Sequence, residues 1–160
     1  MIDAKEALKT VVTTKLGRSV TWIHANLFKS NFLVDQLAAN SSWPVFIYLT
    51  PVEKKASLSD NTPAIKRTIS VNGYFLDKPA LNPTRDYSSE EVEPIITDME
   101  VLVDKLIYNL NKQSVTPVTD LQKGGVKDFR TVGQYSRFDA NVFGVMVTFD
   151  WPVNENTTGC

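Results

Sequence analysis

The chain has 160 residues, 17 Lys plus Arg against 18 Asp plus Glu, one His and one Cys, giving a formal net charge of -1 at neutral pH. That length makes a single domain whose core is large enough to fold without disulfides or metals. A lone Cys cannot close an internal disulfide, one His with one Cys cannot build the usual zinc sites, and a balanced charge argues against nucleic acid as the main partner, because phosphate affinity needs concentrated Lys and Arg.

Met1 to Glu6 is charged and lacks the apolar core of a signal peptide. No window approaches the roughly 18 consecutive apolar residues of a membrane span. The expectation is a soluble protein made in a cytoplasm, with no membrane partner. The triplets Asn40-Ser41-Ser42 and Asn156-Thr157-Thr158 match the glycosylation pattern but read as polar loops without a secretory signal.

From Asp3 to Leu16, Ala4, Ala7, Leu8, Val11, Val12 and Leu16 recur at spacings of three and four. This predicts an amphipathic helix with Asp3 as N-cap and Gly17 as its end. Val20 to His24 is β-branched and aromatic and reads as a short strand or extended arm. Ala25 to Ala39 is ambiguous: Leu27, Asn31, Val34 and Ala38, or Phe28, Phe32 and Leu37, each trace a helical face, yet Asn26, Ser30, Asn31 and Asp35 also suit turns; a short helix is expected near Asn31 to Ala39, with an exposed loop before it. Pro44 to Pro51 is a strand bounded by its prolines.

The polar stretch from Val52 to Pro63 has no sustained period and reads as a hairpin loop or protruding arm. Ile65 to Leu76 resumes strand character, with Thr68, Ser70 and Asn72 alternating against Ile69, Val71 and Gly73; beside the preceding strand it makes an antiparallel pair. Asp77 to Tyr87 reads as a loop. Ser88 and Glu91 fit a capping box, and Pro94 follows near the first turn, where a missing N–H costs little. Ile95, Met99, Leu102, Val103, Leu106, Ile107 and Leu110 then hold helical spacing to about Asn111.

Val115 to Leu121 reads as a short extended piece and Gly124-Gly125 as a turn. Phe129 to Tyr135 and Asn141 to Trp151 read as strands joined by a connection of hairpin length. Phe143, Val145, Val147, Phe149 and Trp151 share one face of the last strand, with Gly144, Met146, Thr148 and Asp150 on the other. Pro152 is expected to stop it. Strands clustered in pairs between helices predict an α+β fold, an antiparallel sheet of about four main strands with two principal helices packed on one face. The domain is placed at residues 1–153 and a polar C-terminal tail at 154–160.

Catalytic constellations are sparse. His24 and Cys160 stand at opposite ends of the chain with no nucleophile elbow between them, so they read as an interfacial or satisfied histidine and an incidental thiol. Glu90, Glu91, Glu93, Asp98, Glu100 and Asp104 read first as helix-start acids and a solvated face, and second as contacts to basic residues of a neighbouring subunit. Gly124-Gly125-Val126-Lys127 lacks the Lys-Ser or Lys-Thr ending of a phosphate loop. Lys54, Lys55, Lys66 and Arg67 are interrupted as a phosphate site by Glu53 and Asp60. Trp22, Phe28, Phe32 and Trp43 concentrate in the least regular segment, and exposed aromatics of this kind mark interfaces. No catalytic, metal or cofactor residue is assigned.

The order of an N-terminal amphipathic helix, the strands Trp43 to Pro51 and Ile69 to Phe75, a Ser88-Ser89-Glu90-Glu91 helix start, a long helix and the closing strand Asp139 to Phe149 resembles the small neck and tail-completion proteins of tailed bacteriophages. Tail terminators and head-tail joining proteins are the nearest in pattern. The Gly144-Val145-Met146-Val147-Thr148-Phe149 ending, with a short tail closed by Cys160, resembles versions from phages of Bacteroidetes-type bacteria. The resemblance spans nearly the whole chain as a pattern, without a diagnostic motif.

It implies a non-enzymatic virion protein that assembles as a ring, a hexamer in tail terminators, between the tail and the head-side connector. Double-stranded DNA would pass the lumen without specific binding, and no cofactor is implied. On that analogy the contact candidates are Trp22, His24, Phe28, Phe32 and Trp43, the arm with Lys54 and Lys55, and the tail from Asn154 to Cys160. The competing classes are a small enzyme or ligand-binding domain using His24 with acids of the long helix, and a host-interaction or immunity-type binding module.

Overall fold

The computed structural model describes residues 4–25, 42–50, 54–59, 62–78, 88–112, 126, 128–134 and 142–155. Helix α1 covers Ala4–Thr14, followed by strands β1 (Thr21–Ala25), β2 (Val45–Leu49), β3 (Lys54–Ser59) and β4 (Thr62–Asp77). Helix α2 (Ser89–Asn111) leads to β5 (Phe129–Gln134) and β6 (Phe143–Glu155).

The fold is α+β, with one sheet ordered β1-β2-β4-β6-β5 and β3 attached to β4. Two expectations change here. The sheet is mixed, because β1 runs parallel to β2, Thr21 beside Val45 through Ala25 beside Leu49; the remaining pairings are antiparallel. It also has six strands rather than about four, because the polar stretch expected as a loop contributes β3. Its residues pair antiparallel with β4 from Lys54 opposite Ile69 to Ser59 opposite Thr62, with a register shift after Leu58. Ladder hydrogen bonds come from the backbone, so a strand with no apolar period can still be a strand.

Strand β6 does not stop at Pro152. It runs on beside β4 to Glu155, with Pro152 opposite Thr68. The partner β5 leaves β6 at Phe149, so beyond that point one edge of β6 has no β5 to serve, and an edge position tolerates a residue without an N–H. The helix expected over Asn31 to Ala39, the Asp3 cap, the extended piece from Val115 to Leu121 and the Gly124-Gly125 turn lie outside the described residues.

Helix α2 follows its sequence pattern closely. Ser88 is the N-cap, its hydroxyl accepting the Glu91 amide at 3.4 Å, and Glu90 and Glu91 occupy the first turn, where carboxylates complement the helix dipole. Pro94 sits inside the helix without ending it; the amide it lacks would have served the carbonyl of Glu90, an exposed residue that water can reach. The buried stripe is Val92, Ile96, Met99, Leu102, Val103, Leu106, Ile107 and Leu110. Each fully buried Leu of this kind contributes about 1.5–3 kcal/mol relative to exposure.

Both helices lie on one face of the sheet. Leu8, Val11, Val12 and Leu16 from α1 and its exit join the α2 stripe over Phe46, Val71, Phe75, Phe143, Val145, Val147, Phe149 and Trp151. Alternation along β6 is therefore as read, with Asp150 exposed and Met146 packing on the second face. That second face has its own buried cluster of Ala25, Val45, Ile47, Leu49, Tyr74, Leu76 and Val142, which explains why all of β2 is buried.

Side-chain amides fasten the helix ends. Asn109 Nδ2 donates to the Lys15 carbonyl at 3.2 Å, satisfying a group left open where α1 ends, and also to Lys105 at 2.7 Å. Gly17 follows with φ of 78°, the left-handed conformation that closes helices.

Candidate subunit-contact surface

Three surfaces are built by these elements. The first is the edge formed by β1. Register sets Trp22 beside Phe46 and His24 beside Tyr48. The rings follow: Trp22 stacks on Tyr48 with centroids 5.2 Å apart and lies 5.5 Å from Phe46, while Phe46 meets Phe75 at 4.6 Å. Such ring pairs add about 0.5–1.5 kcal/mol beyond their buried area. Trp22 is half-buried against the main core rather than presented outright. His24 is exposed; its Nε2 is 2.9 Å from Thr50 Oγ1 and its ring 5.2 Å from Tyr48. The described partners of His24 are thus a hydroxyl and a phenol ring, with no carboxylate of α2 among them. Trp43 is half-buried on the second cluster, on the opposite side of the sheet from Trp22. Phe28 and Phe32 lie outside the described residues.

The second surface is the end of the sheet where β3, the start of β4 and the end of β6 run together. Ile69 and Trp151 are opposite one another and belong to or pack on the main core. Past them β4 and β6 continue paired to Ile65 and Glu155, and β3 lines the other side of β4. At about 3.4 Å per residue the seven steps from Ile69 back to Thr62 extend the sheet by roughly 24 Å. Lys54 and Lys55 lie on β3 opposite Ile69 and Thr68, and Asn154 on β6 opposite Lys66. Asn154 is therefore a strand position, while Cys160 lies outside the described residues. At the root of this extension the second face is polar: Ser70 Oγ donates to Asp150 Oδ1 at 2.7 Å and Thr148 Oγ1 to Asn72 Oδ1 at 3.0 Å, each between cross-strand neighbours.

The third is the outer side of α2. Glu90, Glu93, Asp98, Glu100 and Asp104 are exposed there, as the solvated-face reading expects. Val101 and Tyr108, 45% and 61% exposed, share it, and Lys112 Nζ sits 4.4 Å above the Tyr108 ring. This apolar pair was missed in the sequence; the available signal was that residues 101 and 108 lie seven apart, on one helical face, opposite the core stripe.

One carboxyl has a perturbed titration. Burial pushes Asp77, at the end of β4, above its ordinary value, opposed by the Lys78 amide and by Arg18 and reinforced by Asp98. The Lys78 amide donates to Asp77 Oδ1 at 2.8 Å. Among the described residues no helix is long and apolar enough to cross a membrane, and no group of three or more His, Cys, Asp or Glu stands together as a metal site. No protein-family model matches the chain, and no curated protein matches it.

Proposed function

We propose that the chain is a non-enzymatic structural protein of the bacteriophage neck or tail. It forms an oligomeric ring of the tail-terminator type, a hexamer, that joins the tail to the head-side connector. The observation that carries this reading is the division of the fold into a helix-covered body and a sheet extension made by β3, β4 and β6. A rigid body with an arm at one end suits a subunit that holds its neighbours in a closed ring. The element order that underlies the phage resemblance supports it too: helix, paired strands, long helix, closing hairpin.

On this reading the Trp22 edge and the arm face neighbouring subunits, the neighbouring rings are phage neck, connector and tail-tube proteins, and DNA passes without sequence contacts. The virion is then its place of work, after synthesis in a bacterial cytoplasm. Electron microscopy and mass measurement of the purified protein, alone and mixed with virion partners, test the proposal. Discrete rings and presence in purified virions are expected; a strict monomer absent from virions would remove it.

A further inference from the structure

We propose that the free edge of β1 pairs antiparallel with β1 of a second copy across a two-fold axis, Trp22 of each copy opposite His24 of the other; this deepens the reading in which the Trp22 edge faces another copy, and rests on it. Backbone direction along β1 follows from hydrogen bonds at its two ends. Thr21 donates its amide to the Pro44 carbonyl at 3.0 Å, and the Ala25 carbonyl accepts the Thr50 amide at 3.1 Å. Alternate residues of a strand point their backbone groups the same way, so with Thr21 beside Val45 and Ala25 beside Leu49, Thr21, Ile23 and Ala25 serve β2. The N–H and C=O groups of Trp22 and His24 therefore point away from it. β1 ends the sheet order, and among the described residues no strand lies beyond it. Trp22 and Ile23 are half-buried there and His24 is exposed.

Sheet edges are blunted by charged side chains or proline. β3 carries Lys54 and Lys55, β5 carries Arg130, and β6 past the end of β5 carries Asp150, Pro152 and Glu155. β1 has no Lys, Arg, Asp, Glu or Pro. That neutrality selects the occupant, because a two-fold contact sets a strand against its own residues and repels when the strand carries a net charge.

Register follows from the same outward groups. Antiparallel hydrogen-bonded pairs form between residues that both point outward, and an axis centred on Ile23 makes two of them, about four N–H···O bonds in all. An axis centred on Trp22 or on His24 makes one such pair within β1. The faces agree as well. The rings of Trp22 and His24 both meet Tyr48, on the helix-covered side, so each falls beside a ring of the second copy, a pairing that stabilises sheets. Ile23 packs on the second cluster, and facing its own counterpart it joins the second clusters of the two copies. A two-fold contact uses one patch on both copies and closes at two, so the ring needs a contact of its own, and this one links two subunits or two facing rings.

The test uses the full chain with Cys160→Ser, which leaves any introduced thiol alone. Ile23→Cys is expected to give a disulfide-linked dimer under mild oxidation, because facing Cα atoms of a non-hydrogen-bonded pair stand about 4.5 Å apart, within disulfide reach. Thr21→Cys, set from its counterpart by the length from Thr21 to Ala25, roughly 14 Å, is expected to link at least about tenfold less. His24→Pro removes an outward N–H without touching the β1–β2 ladder and is expected to weaken the pairing roughly tenfold, while His24→Ala changes it little. In the unaltered chain, amide exchange at Trp22 and His24 is expected to slow between the monomeric and the assembled form. Exchange that stays the same in an assembled chain overturns the pairing without any variant having to fold, and leaves the ring standing. Equal linking by Ile23→Cys and Thr21→Cys also overturns it, as does a folded His24→Pro chain that associates like His24→Ala. Protection that appears only when virion partners are added gives the edge to a partner's strand and overturns self-pairing. A dimer and nothing larger keeps this contact and removes the ring; a chain monomeric at every concentration and absent from virions removes both.

Discussion

Asn111, the last residue of α2, holds the chain leading into β5 by a paired contact: its Nδ2 donates to the Val126 carbonyl at 3.1 Å and its Oδ1 accepts the Val126 amide at 2.7 Å. A side-chain amide here does what a neighbouring strand would do, satisfying both backbone groups of one residue. Val126 itself is buried at 5% exposure within the main core, so water substitutes poorly. Asn111→Ala removes two hydrogen bonds worth about 0.5–1.5 kcal/mol each, and the loss falls in the upper part of the resulting range of roughly 1–3 kcal/mol because the Val126 groups are left unpaired. Asn111→Asp keeps the acceptor but turns a carboxylate oxygen toward the Val126 carbonyl, so it is expected to lie between Asn111→Ala and wild type. Urea unfolding at constant slope gives the free energies, and hydrogen exchange at the Val126 amide reports the local opening. A loss under about 0.5 kcal/mol for Asn111→Ala, with Val126 protection unchanged, would refute the reasoning.

Gly144→Ala is expected to cost about 3 kcal/mol or more, because a Cβ there would overlap the Phe75 carbonyl oxygen and stand 2.9 Å from Leu76 Cα, both backbone atoms of β4. Gly17→Ala meets only ordinary van der Waals contact, its nearest neighbour being Lys105 Nζ at 3.6 Å; the cost comes from its φ of 78° and should be about 1–2 kcal/mol, and thermal unfolding that ranks the two equally would contradict this. Ser88→Ala removes the α2 cap and should cost about 1 kcal/mol, with Ser88→Asp recovering most of it; equal stability of all three proteins in urea would show that the cap is inert. Asp77 is raised by burial, so its protonated form is the one the fold prefers. Its contribution is full below the ordinary aspartate value and is lost as pH rises through the folded-state value. Asp77→Asn should therefore be more stable than wild type at pH 7, with the advantage vanishing in acid. A pH-independent difference between the two would contradict the assignment.

The parts of this fold legible in the sequence are those where packing imposes a period. Met99, Leu102, Val103, Leu106, Ile107 and Leu110 repeat because α2 lies on a sheet, and Phe143 to Trp151 alternate because one side of β6 meets that helix. Strand β3 has no such constraint in Lys54 to Ser59, and its pairing is a backbone event set by the hairpin with β4. The parallel placement of β1 beside β2 depends on the crossover between them, which the residues of either strand do not record. Pro152 misled because a proline ends a strand only where its missing amide would have been used. At the surface, Trp22 was readable as aromatic but not as half-buried. Its burial comes from Phe46 and Tyr48 on a strand more than 20 residues away. Val101 and Tyr108 were hidden among charges, although their helical spacing already sets them opposite the core stripe, and the structure shows them exposed.

The central claim is assembly into a closed ring, and the most direct measurement is the native mass of the full chain in solution at low salt. The account predicts one discrete oligomer, an integral multiple of 17.9 kDa, whose population grows with protein concentration. A single species at the monomer mass at every concentration would contradict it.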